Sequence, residues 1–283
     1  MSGTFEPPLA PPPELRFRRH IRLGVAMRDL WQARELVRTL VERDFRAQYK
    51  QTILGFAWAV IPPVTFMVLF SLFFRRVADV NTEGVPYSLF TYVGLLPWTF
   101  FSGSVSRGGL SLLANTALLN RMYCPREIFP IAGMISAGID TLVALPVLGI
   151  LFLLTGFAPK PTVVFVPLLF VIQLLFTLGV TLAASSIVVY FRDLRHALPL
   201  ILQFGIFATP VAYSVDVIPK SLRALYAVLN PLAPVIDGYR QVVLLGRAPA
   251  WDTLLPGAAA AGGVMLAAYL LFKHLETGLA DVA

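Results

Sequence analysis

Apolar residues along this chain gather into long runs, and the polar residues between them fall into short, basic, proline-bounded islands. The first patterned stretch is residues 30–51, LWQARELVRTLVERDFRAQYKQ. Leu30, Ala33, Leu36, Val37, Leu40, Val41 and Phe45 recur at helical spacing on one side, while Glu35, Arg38, Glu42, Arg43, Arg46 and Lys50 occupy the other. This pattern predicts an amphipathic helix in the membrane interface, anchored by Trp31 and Tyr49, with Arg34 snorkelling from the apolar side.

An apolar run at 53–74 follows, about 33 Å long as a helix. Pro62 and Pro63 remove two backbone donors near its middle and predict a kink. The next run, 87–119, would span roughly 50 Å if continuous, against a hydrocarbon layer of ~30 Å, so its last turns should project beyond the layer. Runs at 128–155, 162–190, 198–213 and 254–272 complete six predicted spans. Residues 214–252 are too long for a simple hairpin and hold two half-length helical patterns, split by Asn230-Pro231 and Pro234. Pieces of ~10–14 residues suit re-entrant or interfacial helices. The predicted fold is an all-α integral membrane protein. It has an N-terminal amphipathic helix (30–51), a six-span domain (53–283) and outward-facing re-entrant half-helices before the last span. Residues 1–29, proline-rich and then arginine-rich, cannot bury a core and are expected to form a flexible tail.

Composition agrees with a polytopic protein: 57% of the 283 residues are hydrophobic and 14% charged. The net charge of +7 needs no nucleic acid, because basic residues face anionic lipid and set orientation. Sixteen of the 23 lysines and arginines fall on the side of the N-terminus, the 107–126 region that leads into the LLNRMYCPREIFP island at 118–130, RDLRHA at 192–197 and the tail; seven fall opposite. Both termini are therefore expected in the cytoplasm and segment 214–252 outside. About fifty mostly polar residues precede the first apolar run, so insertion is expected to start from an internal span. Cys124 alone excludes an intramolecular disulfide, and His20, His196 and His274 have no metal-ligand spacing.

The chain has no GxxxxGK[ST], HExxH, GxSxG or DxD pattern, so nucleotide hydrolysis by a phosphate loop is excluded and a transporter is favoured over an enzyme. Asp140, in SAGIDTLVAL, is the one clear charge inside a span, about 18 Å from the start of its run. It either contacts a coupling ion or substrate, or is neutralised by neighbouring helices. An ion-coupled secondary transporter using Asp140 and a membrane enzyme acting on lipid-linked sugars stand as alternatives; the former usually carries several such charges and an internal repeat. Aromatic residues are mostly packing or lipid-facing, with Tyr87 and Trp98 as outer-belt anchors. Candidates for a sugar conduit are Phe66, Phe70, Phe73, Phe204, Phe207 and Tyr213. Arg43, Arg46 and Lys50 are either positive-inside anchors or a grip for the phosphates of a lipid-linked substrate.

Five stretches occur in order after residue 29: RDFRAQYKQTILGFAWAVIPP (43–63), LLNRMYCPREIFPI, VVYFRDLRHALPLILQ (188–203), ATPVAYSVDVIP (208–219) and LNPLAPVIDGYRQVVLLG (229–246). Together they resemble the ABC-2 permeases that export O-antigen, capsule or teichoic-acid polysaccharides. The resemblance implies a homodimer in the bacterial inner membrane with two copies of a separate ATPase subunit. ATP and magnesium would be bound there and no cofactor by this chain. It implies that Arg38 and Glu42 on the interface helix, and Asn120, Arg121, Tyr123, Pro125, Arg126 and Glu127 on a coupling helix, contact the ATPase. The implied substrate is an undecaprenyl-diphosphate-linked polysaccharide, O-antigen foremost, with its diphosphate near Arg43, Arg46 or Lys50. Export of another lipid or a drug is the nearest alternative.

Overall fold

In a lipid layer a backbone N–H or C=O finds no partner but another backbone group, so apolar runs of this length fold as helices. A computed structural model of the chain describes residues 28, 30–50, 52–77, 82–119 and 124–276, and no strand occurs among them. The elements are α1 (Arg34–Tyr49), α2 (Ala57–Val77), α3 (Tyr87–Ala114), α4 (Ile128–Thr155), α5 (Val166–Tyr190), α6 (Leu194–Ala208), α7 (Lys220–Leu229), α8 (Leu232–Arg240) and α9 (Trp251–Glu276). A helical turn, Thr116–Leu119, follows α3, a 3-10 turn precedes α5, and a π-helical turn, Gln241–Leu245, continues α8. Three helical stretches are long and apolar enough to cross a membrane: Ile128–Thr155, Pro161–Tyr190 and Trp251–Glu276. The apolar stretches Ala57–Phe73 and Leu194–Ala208 are shorter.

Helix α3 is the centre of the bundle. It packs on α4 and α5, and α9 lies along the far side of α5. Its residues Tyr92, Leu95 and Val105 are buried with Ala144 of α4, Ile206 of α6 and Leu232 and Ile236 of α8. Inside this core Tyr92 Oη donates to Ala144 O at 2.8 Å. Gln173 of α5 donates to Pro97 O at 2.9 Å and accepts from Tyr239 Oη of α8 at 3.0 Å, so one amide ties three helices.

Several sequence-based boundaries move. The expected continuous helix over 30–51 is interrupted by a turn at Ala33, and α2 begins at Ala57 and carries Pro62 and Pro63 within unbroken helix. The 87–119 run breaks at Asn115, whose backbone leaves helical geometry (φ −115°, ψ 24°). The expected span at 198–213 is instead α6, 15 residues from Leu194 to Ala208, because a turn at Thr209–Pro210 ends it early. The two half-helices of 214–252 are α7 and α8, split at Asn230-Pro231; Pro234 sits in the first turn of α8, where its missing N–H breaks no helical bond. Trp98 is not an outer-belt anchor: it is 6% exposed, and its indole fills the space beside Gly205, where a β-carbon would lie 2.9 Å from the ring.

The α7–α8 hairpin is held by a residue that the loop assignment hid. Arg240 is 1% exposed. Its guanidinium donates to Phe90 O at 3.1 Å, Pro210 O at 2.7 Å, Tyr213 O at 3.0 Å and Val211 O, and stands 3.7 Å over the Phe90 ring. It thus satisfies the carbonyls freed where the chain turns after α6, and stacks on α3. Charge-assisted hydrogen bonds are worth roughly 1.5–3 kcal/mol each, and Arg240→Met leaves several buried acceptors unpaired, so the cost should be about 3 kcal/mol or more. Thermal unfolding in detergent checks this; an unchanged midpoint would contradict it.

Candidate functional site

The end of the bundle that carries α1, the start of α4 and the end of α9 concentrates the charges singled out in the sequence. Helix α1 packs onto the bundle. Leu40 is buried against Leu112, Ile128, Phe129 and Ala132, with Leu36, Val37 and Val41 packed around it. Its apolar face is covered by the ends of α3 and α4, leaving Arg38, Glu42 and Arg46 exposed in one i, i+4, i+8 row. Glu42 and Arg46, assigned above to different roles, form one ion pair. Trp31 stays exposed at 72%, with the Arg34 guanidinium 5.6 Å from its ring. Tyr49, expected as the second anchor, turns inward and is 8% exposed.

Tyr49 is inward because Asp140 is there. The Asp140 carboxylate accepts from Tyr49 Oη and from Gln48 Nε2 at 3.3 Å, and is ion-paired with Arg107 Nη2 of α3. Burial, with the carboxylate beside it, raises the Tyr49 hydroxyl above its ordinary value, so it remains a proton donor. Of the two readings of Asp140, the geometry fits neutralisation by neighbours. Arg107, counted above only toward the basic bias of the N-terminal side, sits within the buried helix α3, one side of its guanidinium on Asp140 and Nη1 buried without a partner. A lone arginine and a lone aspartate in adjacent apolar runs were the available sign of a pair.

Arg43 leaves the exposed row. It donates to Asn115 Oδ1 at 2.8 Å and to Asp44, and Asn115 in turn donates to Ser111 O at 2.8 Å across the break after α3. Beside it a cleft of about 120 Å³, lined by Arg43, Arg107, Asn115, Phe129 and Gly133, opens between α1, α3 and α4. Lys50 is exposed at the end of α1.

Of the island, Asn120, Arg121 and Tyr123 lie outside the described residues, as does the tail up to residue 27. Pro125 and Arg126 are half-buried, and Glu127 is 2% exposed. Glu127 faces the bundle, where it pairs with Lys273 of α9; Arg126 donates to Glu276 O. Burial raises the Cys124 thiol above its ordinary value, and Arg126 offsets part of that rise. Among the described residues no group of three or more His, Cys, Asp or Glu side chains could hold a metal ion.

The conduit candidates divide. Phe66, Phe73, Phe204 and Phe207 are exposed on α2 and α6, but Phe70 is buried at 6%, edge-on to Phe207 at 6.2 Å between centroids. Tyr213 donates to Phe207 O at 3.2 Å and is half-buried. At the hairpin end a second cavity of about 290 Å³ lies above Arg240. Two ion pairs line it, Arg223 with Asp216 at 3.0 Å and Arg247 with Glu83 at 2.8 Å.

Residues 35–244, about three quarters of the chain, match the family model described as ABC-2 type transporter. The chain belongs to the ABC-2 type transporter family. Against a curated protein named O-antigen export system permease protein RfbA, from Myxococcus xanthus, it is 33% identical over 256 residues, covering 90% of this chain and 98% of that protein. A protein of the same name from Klebsiella pneumoniae is 28% identical over 213 residues, 75% of this chain and 81% of the relative. The polysialic acid transport protein KpsM of Escherichia coli is 26% identical over 215 residues, 74% and 81% respectively. The family match runs from α1 through the hairpin, so the Asp140 cluster, the island and the Arg240 pin all lie within it.

The cluster makes a prediction. Asp140→Leu strands the Arg107 charge and should cost about 2 kcal/mol or more, whereas Asp140→Leu with Arg107→Leu should recover most of the loss. Thermal unfolding of the single and double variants measures both; equal destabilisation of the double variant would refute the pairing as the source.

Proposed function

We propose that this chain is the membrane subunit of an ATP-driven exporter of lipid-linked polysaccharide, O-antigen foremost. The observation that carries the reading is the end-to-end similarity to a protein named for O-antigen export, over 98% of that protein's length. On this reading the six apolar runs are spans, α1 and both termini lie in the cytoplasm, and α7–α8 caps the outer side. The basic bias of the N-terminal side supports this orientation. Two copies of the chain form the conduit, and a separate ATPase subunit, present twice, binds ATP and magnesium. The absence of a phosphate loop supports a motor on another chain.

Each cluster then has a task. The exposed Arg38, Glu42 and Arg46 row and the island, with Asn120, Arg121 and Tyr123 in its sequence, offer a charged surface to the ATPase. Among the three phosphate candidates, Arg46 pairs with Glu42 and Arg43 with Asp44, but only Arg43 lines the cleft beside Arg107, and the Arg107 Nη1 is an unused buried donor. A phosphoryl oxygen of the undecaprenyl-diphosphate carrier would satisfy that donor and be reached from Arg43. The exposed aromatic faces of α2 and α6 give sugar C–H surfaces something to slide on without tight binding. The ion-coupled alternative loses support because Asp140 already has three partners.

The test is disruption of the gene together with purification of the chain with its neighbouring ATPase. Loss of surface polysaccharide, with the lipid-linked form accumulating inside the cell, is expected; unchanged surface polysaccharide would overturn the reading. In the purified complex, Arg43→Ala should weaken stimulation of ATP hydrolysis by the lipid-linked glycan about tenfold, as losing one charge-assisted contact implies, and leave basal hydrolysis alone. Undiminished stimulation would remove Arg43 from the phosphate site.

A further inference from the structure

Two residues of the island, Arg126 and Glu127, grip the end of α9. Lys273 Nζ is bonded to Glu127 and to Glu276 Oε2, the latter at 2.8 Å; the side chains are 21%, 2% and 18% exposed. Arg126 donates to the Glu276 carbonyl, and Tyr190 Oη, at the end of α5, donates to Leu275 O at 2.8 Å. Phe272, fully buried, packs in the same cluster as Ile128 and Phe129. The other Glu127 oxygen is buried without a partner, so Lys273 is the only cation paired with Glu127 among the described residues.

A buried carboxylate whose charge is matched by a single ammonium cannot move away from it without stranding both charges in an apolar surrounding. The start of α4 and the end of α9 are therefore one mechanical piece. Helix α9 then runs about 24 Å from Lys273 to Gly257. There a β-carbon would lie 2.6 Å from Pro234 of α8 and 3.5 Å from the Ala227 carbonyl of α7, so α9 touches both arms of the hairpin with no side chain between. The helix is a stiff connection from the island to the opposite end of the bundle.

We propose that Lys273 is a positioning residue for transport: it passes displacement of Arg126 and Glu127 to α9, and α9 passes it through Gly257 to the α7–α8 hairpin. The proposal rests on the reading that an ATPase subunit docks at the island. Glu127 on this account is no docking contact; it acts through Lys273. Two ends of one rigid helix that both bias the hairpin supply the coupling, and ordinary coupling between sites is worth roughly five- to 150-fold.

The test uses the complete complex of this chain with its ATPase in lipid nanodiscs and proteoliposomes, comparing Lys273→Met, Lys273→Arg and the exchange Glu127→Lys with Lys273→Glu. Nitroxide labels at exposed Leu229 and Leu255, in a Cys124→Ala background, report the hairpin against α9. With Lys273→Met, glycan exported per ATP should fall roughly tenfold and the nucleotide-dependent change in label distance should vanish, while the ATPase still copurifies. Lys273→Arg and the charge exchange should restore both. Normal export per ATP in Lys273→Met overturns the proposal. So does a parallel fall of hydrolysis and export that neither Lys273→Arg nor the exchange rescues, since that is what a purely structural pair would give. If no ATPase copurifies with the unsubstituted chain, it is the docking reading that fails, and with it the premise of this proposal.

Discussion

A charge placed among apolar helices must bring its own partners, and that constraint organises this molecule. Three places bear it: Arg107–Asp140 with Tyr49, Lys273 with Glu127 and Glu276, and Arg240 on a set of backbone carbonyls. Each joins a piece that would otherwise be weakly attached. The first fastens the amphipathic helix to α3 and α4, the second ties the start of α4 to the end of α9, and the third pins the half-helix hairpin to α3. Apolar packing between helices gives little discrimination among neighbours in a lipid medium, where tails are as apolar as leucine. Paired charges fix register and orientation there, because a shifted helix strands them.

The long elements were legible from the sequence because their signal is additive over many residues. The 128–155 run is the helix Ile128–Thr155, and the split at Asn230-Pro231 is the turn between α7 and α8. Boundaries failed where a single residue decided them. Asn115 ends α3 because its side chain serves Arg43 and the Ser111 carbonyl instead of the helix. Thr209–Pro210 ends α6 well before hydropathy does. The buried charges were the hardest to read. Arg240 looked like a loop arginine because it lies in the long stretch between two apolar runs, and its hydrogen-bond partners are carbonyls, which every residue has. Tyr49 looked like an interfacial anchor because its inward turn depends on Asp140, ninety-one residues away along the chain.

At the candidate site the basic, amphipathic entry and the polar island were legible as residue patterns, but which side chains pair there was not. Pairing between Glu42 and Arg46 and burial of Glu127 follow from three-dimensional placement that helical spacing alone does not give. What emerges is an asymmetric arrangement. One end of the bundle has a charged exposed row, a cleft with two arginines and a buried ionic joint. The other has a pinned hairpin beside a cavity lined by two ion pairs. Force applied at the first end has a rigid helix along which to reach the second.

The most direct measurement of this account is vectorial transfer of a labelled undecaprenyl-diphosphate-linked polysaccharide in proteoliposomes containing the chain and its ATPase. Transfer should require ATP on the α1 side, stop with a hydrolysis-deficient ATPase, and be indifferent to proton or sodium gradients. Transfer by this chain alone, driven by an ion gradient and lost with Asp140→Asn, would contradict it.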